Sequence, residues 1–232
     1  MLTLVTGASQ GIGEAIARAF AARPGARLAL VARSADRLAD VAAACRTAGA
    51  EAEAFPCDVT DDAAVEAMVE AVRAWGGVPD VLVNNAGAFE PGGFLDTPPA
   101  AFRRQLEVNV VSAFLVTRAV LGGMLERGSG RVLMMGSVAS VRGYPGGTAY
   151  GAAKHALLGL ARSLREETLG TGVGVTTLLP GATLTPSWDG VDVPPERLMP
   201  PADIARVAVE VATLSDRSVV EEVLIRPGAG DL

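Results

Sequence analysis

The sequence predicts a doubly wound α/β domain: a parallel sheet of about seven strands with helices on both faces. Two observations predict it. Short β-branched or leucine-rich runs alternate with longer helical stretches from one end of the chain to the other. Those short runs are almost wholly apolar, the pattern of strands covered on both faces rather than one. A third observation agrees with them. Half of the 232 residues are hydrophobic, so the chain can bury a substantial core without disulfides or metals. Strand–helix–strand units joined by right-handed crossovers then give a single doubly wound domain over residues 1–232. No linker, low-complexity segment or internal repeat interrupts it.

The first strand is LTLVT, 2–6, and a helix is expected at about 12–22. Between them lies TGASQGIG, 6–13. In this turn Gly7 permits a sharp exit from the strand, Gly11 lets backbone approach a pyrophosphate, and Gly13 lets the helix pack on the sheet. The exposed N–H groups and positive dipole end of the helix favour phosphate there. The second strand, RLALVA at 27–32, ends on Ala32 and Arg33. In such folds a carboxylate at this point binds the ribose 2′-hydroxyl of NAD, and an arginine accommodates the 2′-phosphate of NADP. No carboxylate appears until Asp36, and Arg33 can fork onto a phosphate. NADP(H) is therefore the expected cofactor, with NAD(H) the alternative.

A helix at 34–48, a strand at 51–55, a helix at 61–75 and the strand DVLVN at 80–84 follow. The next helix is expected as one run over 100–126, then a strand at 131–136, a helix at 149–169 and a strand at 173–179. The stretch 183–200, TLTPSWDGVDVPPERLMP, follows the sixth strand where open α/β sheets bind ligands, and reads as a substrate-side lid. A helix at 201–213 and a strand at 220–226 complete the chain.

The formal charge is −6 and the sequence pI about 4.9, without blocks of like charge, which argues against nucleic-acid or anionic-membrane partners. Cys45 and Cys57 lack metal-ligand spacing and are expected as free thiols; no metal site is expected. The N-terminus lacks a basic segment followed by an apolar one, and no uncharged apolar run reaches the length of a membrane span. A cytoplasmic location is expected.

YGAAK, 150–154, sets a phenol and an ammonium one helical turn apart on the same face. A cation so placed favours the phenolate and lowers the pKa of Tyr150, which suits general acid–base chemistry. With this pair the sequence resembles the short-chain dehydrogenase/reductase family, in its 3-oxoacyl-reductase-like carbonyl reductase branch. TGASQGIG resembles that family's cofactor turn and NNAG, 84–87, its fourth-strand motif. Ser137 precedes Tyr150 by thirteen residues, Asn109 lies in the long helix after NNAG, and Pro180-Gly181 closes the sixth strand.

The resemblance implies a Rossmann-type fold and an NADP(H)-dependent oxidoreductase acting on a small carbonyl or alcohol substrate. Tyr150 would exchange a proton with the substrate oxygen, and Ser137 would position that oxygen. Lys154 would lower the tyrosine pKa and bind the nicotinamide ribose, and Asn109 would hold a relay water. The cofactor contacts implied are Gly7, Ser9, Gln10, Gly11, Ile12, Gly13, Arg33, Asp58, Val59, Asn85, Ala86, Gly87, Tyr150, Lys154, Pro180, Gly181, Thr183 and Thr185. Gln10 departs from the family, standing where many NADP-preferring relatives carry a basic residue, and Thr183 replaces a common Val or Ile. A homodimer or homotetramer through helices 102–125 and 149–169 is implied, and those helices are apolar beyond the face a sheet can cover. His155, the only histidine, points about 100° away from Lys154 on its helix and is expected in packing or an interface. The alternative functions are a non-catalytic NADP-binding sensor or regulatory subunit, and an NAD-dependent alcohol dehydrogenase.

Overall fold

The computed structural model describes residues 1–231. Seven parallel strands form one sheet: β1 (Leu2–Thr6), β2 (Arg27–Ala32), β3 (Glu51–Pro56), β4 (Val81–Asn84), β5 (Gly130–Met135), β6 (Val173–Pro180) and β7 (Glu222–Ile225). Their order is β3-β2-β1-β4-β5-β6-β7. The chain starts in the middle, winds out to β3, then crosses to the other side of β1 and winds out to β7. The reversal between β1 and β4 opens a crevice at the carboxyl ends of those strands, where such sheets bind ligands. The expected fold class is borne out.

Burial explains the apolar strands. Every residue of β1, β4, β5 and β6 is buried, whereas edge strand β3 exposes Glu51 and Glu53 around buried Ala52. Helices α1 (Gly11–Ala21), α2 (Ala35–Thr47) and α7 (Pro201–Ala212) cover one face through Ile16, Phe20, Leu38 and Ile204. Helices α3 (Asp62–Gly76), α5 (Ser112–Arg127) and α6 (Thr148–Glu167) cover the other through Val65, Val72, Val120 and Leu157. Local signals set the ends. Asp61 caps α3 by accepting from Ala64 N at 3.0 Å, and Gly128 stops α5 in the left-handed region at φ 70°.

The run expected over 100–126 is interrupted. It comprises α4 (Pro99–Leu106), a π turn over Glu107–Val111, and α5. The whole stretch Pro99–Arg127 has the length and apolar composition of a membrane span, but α5 packs Ala113, Val116, Val120 and Met124 into the core. The 183–200 stretch is better ordered than a bare loop. Leu184 N donates to Met199 O at 2.8 Å and Met199 N to Ala182 O at 2.9 Å, which ties its two ends together. Short 3₁₀ turns occupy Pro186–Trp188 and Pro195–Arg197.

Candidate active site

The glycine turn after β1 is locked to the end of β4. The Thr6 hydroxyl donates to Val83 O at 3.3 Å and accepts from the backbone N–H groups of Asn85 and Ala86, both at 3.0 Å. The Asn85 amide donates to Thr6 O at 3.0 Å and Gly7 O at 3.2 Å. Asn85 therefore braces the turn with its side chain. A Cβ on Gly7, at φ 64°, would lie 2.8 Å from the Asn85 amide nitrogen, and one on Gly13 would strike the Gly7 carbonyl. Only glycine allows α1 to start this close to the sheet. A Cβ on Gly11 would sit 3.3 Å from Thr185 Cγ2, so the segment after β6 lies against the same turn.

Around this turn the expected cofactor residues group at the carboxyl end of the sheet. Ser9, Gln10 and Ile12 line the start of α1, with Ile12 packed partly into the core. Ala32 is buried at the end of β2 and Arg33 is exposed beside it. After β3, hydrogen bonds from the Thr60 hydroxyl and N–H (2.7 and 3.0 Å) hold the Asp58 carboxyl below its usual range, and the charge of Arg33 adds to the effect. Val59 is buried. At the end of β6, Pro180 is buried and the Thr183 hydroxyl donates to Gly181 O at 2.9 Å.

Four groups expected to carry chemistry come together beside β5. Ser137 follows that strand, its hydroxyl oxygen accepts from Ala139 N at 3.1 Å, and the hydroxyl is near enough to Tyr150 to oppose the rise of its pKa. Lys154 is 5% exposed and donates to Met135 O at 2.8 Å. Burial in apolar surroundings pushes its pKa down to about 8. Asn109 lies in the π turn, where its amide nitrogen donates to Ala88 O at 2.9 Å and Gln105 O at 3.0 Å. Its Oδ1 is buried without a partner. A Cβ on Gly87 would lie 2.7 Å from that oxygen and 3.6 Å from Lys154 Nζ. Glycine thus allows an unsatisfied acceptor and a buried ammonium to approach the same stretch of backbone.

One expectation needs correction. Lys154 does not bring the Tyr150 pKa below its ordinary value. Its ammonium lies 5.5 Å from the centre of the phenol ring rather than at the hydroxyl. Burial dominates and pushes Tyr150 up to about 12, against the opposing effect of the nearby Ser137 hydroxyl. At neutral pH Tyr150 is therefore a neutral phenol carrying its proton. His155 is exposed and donates through Nδ1 to Gly151 O at 2.8 Å, outside this cluster.

Two neighbours escaped the sequence reading. The Phe89 ring stands edge-on to Tyr150, 5.1 Å between centres and 82° between planes. Tyr144 lies close enough that its ionisation would raise the Tyr150 pKa further. Phe89 sits just past NNAG, and an aromatic in a connecting loop was the available signal.

The sheet crevice, glycine turn and Ser-Tyr-Lys cluster define a dinucleotide-dependent oxidoreductase. The family model for short chain dehydrogenase matches residues 2–193. Oxidoreductase UcpA of Salmonella typhimurium is 39% identical over 210 residues, covering 90% of this chain and 78% of that protein. An alcohol dehydrogenase from the archaeon Thermococcus sibiricus, solved with 5-hydroxy-NADP, superposes with a TM-score of 0.91 at 33% identity, over 98% of this chain and 96% of that one. A substituted actinorhodin polyketide ketoreductase solved with NADPH superposes with a TM-score of 0.91 at 31% identity, over 100% and 97%. The chain belongs to the short-chain dehydrogenase family of NAD(P)-dependent oxidoreductases.

Proposed function

We propose that the protein is an NADP(H)-dependent reductase of small carbonyl compounds, with Tyr150 as its general acid and, in the reverse direction, its general base. The observation that carries this reading is the grouping of Ser137 and a protonated Tyr150 with buried Lys154, whose ammonium lies 5.5 Å from the centre of the phenol ring. The absence of a Cβ at Gly87 lets Asn109 Oδ1, which is buried without a partner, and the Lys154 ammonium both come close to the backbone there. Gly7, Gly11 and Gly13 would admit the pyrophosphate, Arg33 the 2′-phosphate, and Pro180, Gly181, Thr183 and Thr185 the nicotinamide end. The bound cofactor supplies or accepts the hydride.

The chain's own residues handle the oxygen and its proton. Ser137 would hold the substrate oxygen against Tyr150, which carries its proton at neutral pH and would give it to that oxygen as the hydride arrives. Lys154 and Asn109, whose Nζ and unpartnered Oδ1 both lie beside Gly87, would hold the water that returns the proton. Phe89 and Tyr144 present uncharged aromatic surface beside the phenol, which favours neutral ketones or aldehydes with an apolar substituent. The two related structures carrying NADP-type ligands support the cofactor assignment. Ala32 and Arg33 favour NADPH over NADH. A panel of neutral ketones and aldehydes incubated with NADPH should include compounds that consume it, with NADH a poorer substitute. Consumption of NADH as fast as NADPH at equal concentrations, with equal binding affinity, would overturn the cofactor assignment.

A further inference from the structure

Arg37 belongs to none of the groups assigned above, yet it reaches the cofactor turn. It stands in the first turn of α2. Its Nη1 donates to Gln10 Oε1, and its Nε donates to the Ser34 hydroxyl at 3.2 Å. Gln10 immediately precedes α1, so this guanidinium spans from the start of α2 to the turn between β1 and α1. Both acceptors are neutral. Asp36 and Asp40 share its helix, but among the described residues no carboxylate forms an ion pair with Arg37. A guanidinium has about five N–H donors, and neutral partners here take only part of them. A full positive charge with spare donors is thus held beside Ser34, one residue past Arg33 and two past Ala32, where an NAD site would carry its acid.

We infer that Arg37 is a second cation of the 2′-phosphate subsite and that Gln10 is its positioning residue. Gln10 carries no charge of its own, but its amide oxygen orients a charge that comes from the neighbouring helix. Holding a long, exposed side chain in one orientation beforehand reduces the entropy lost when the anion binds. The inference rests on the NADP(H) reading and assigns that preference to two arginines instead of one.

Calorimetric titration with adenosine 2′,5′-bisphosphate and with 5′-AMP reads the subsite directly, without turnover. The wild-type protein should bind the bisphosphate more tightly. Arg37→Ala should weaken the bisphosphate by about tenfold, the size of one partly exposed charge-assisted hydrogen bond, and leave 5′-AMP unchanged. Gln10→Glu, which offers Arg37 a carboxylate in place of the amide, should cause a similar selective loss. A Gln10 that merely shaped the turn would change both ligands together and refute its positioning role. Arg37 is exposed, so its variant should keep the wild-type thermal midpoint. Wild-type discrimination retained in Arg37→Ala but lost in Arg33→Ala would overturn the inference while leaving the NADP(H) reading standing. Equal binding of the two ligands by the wild-type protein would overturn both.

Discussion

Tyr150 and Lys154 shift in opposite directions for the same reason, since burial penalises whichever form is charged. Lys154 is the only lysine in the chain, which makes its titration separable. Its folded pKa of about 8 lies below the ordinary 10.5, so between those values the unfolded chain binds the proton more tightly. Raising the pH through that window therefore stabilises the fold, and Lys154 contributes least below pH 8. Tyr150 acts in the reverse sense: its pKa is raised from 10 to about 12, and its contribution is lost as pH rises through that interval. Chemical denaturation of the cofactor-free protein should show a Lys154-dependent gain between pH 8 and pH 10. Lys154→Met should remove that gain; identical pH profiles for the two proteins would contradict it. Phe89 permits another test. Truncating the ring in Phe89→Ala should lower kcat/KM on an apolar ketone by roughly 2- to 10-fold, the worth of an aromatic pair, with NADPH affinity unchanged. The pairing of Tyr150 and Lys154 was legible because their spacing is one helical turn, whereas Ser137, thirteen residues upstream, was legible only through the family resemblance. The fall in the lysine pKa and the rise in the tyrosine pKa were not, since both depend on apolar atoms brought in from distant strands.

The strand segments 2–6 and 27–32 coincide with the observed β1 and β2. Their apolar runs end abruptly at glycine or charged residues, which makes such strands readable. The π turn was invisible in advance, because EVNVV continues a helical composition and nothing in it marks a change of hydrogen-bond register. That turn nevertheless carries Asn109, whose inward Oδ1 faces Gly87. Gly87→Ala would place a methyl group 2.7 Å from this oxygen. The variant should keep most of its thermal stability but lose turnover by about tenfold or more, as expected when a proton path is blocked. Wild-type kcat in a folded Gly87→Ala protein would remove Asn109 from the path. The segment 183–200 was recognisable as irregular from its prolines. Its closed base was not, because the pairing of 182–184 with Met199 is made by backbone atoms.

Alternation of apolar strands and helices carries the architecture of the whole molecule, and the order in which the strands lie follows from one crossover past β1. Assembly is a separate matter. Phe114 and Leu125 are 47% and 40% exposed on α5, and the outer face of α6 presents small Ala156 and Gly159. These surfaces fit close helix-to-helix packing with a second copy about a two-fold axis. Light scattering at micromolar concentration should give a mass of two or four chains, and Phe114→Glu should shift it toward one. A fully active monomer would count against the pairing. The proposed function rests on one phenolic proton, that of Tyr150. Single-turnover hydride transfer from NADPH to an established ketone, compared between the wild-type protein and Tyr150→Phe, measures its contribution directly. The account predicts unchanged NADPH binding and a rate lower by ~10²–10⁴-fold, the effect of losing a general acid. A Phe variant that transfers hydride at the wild-type rate would contradict it.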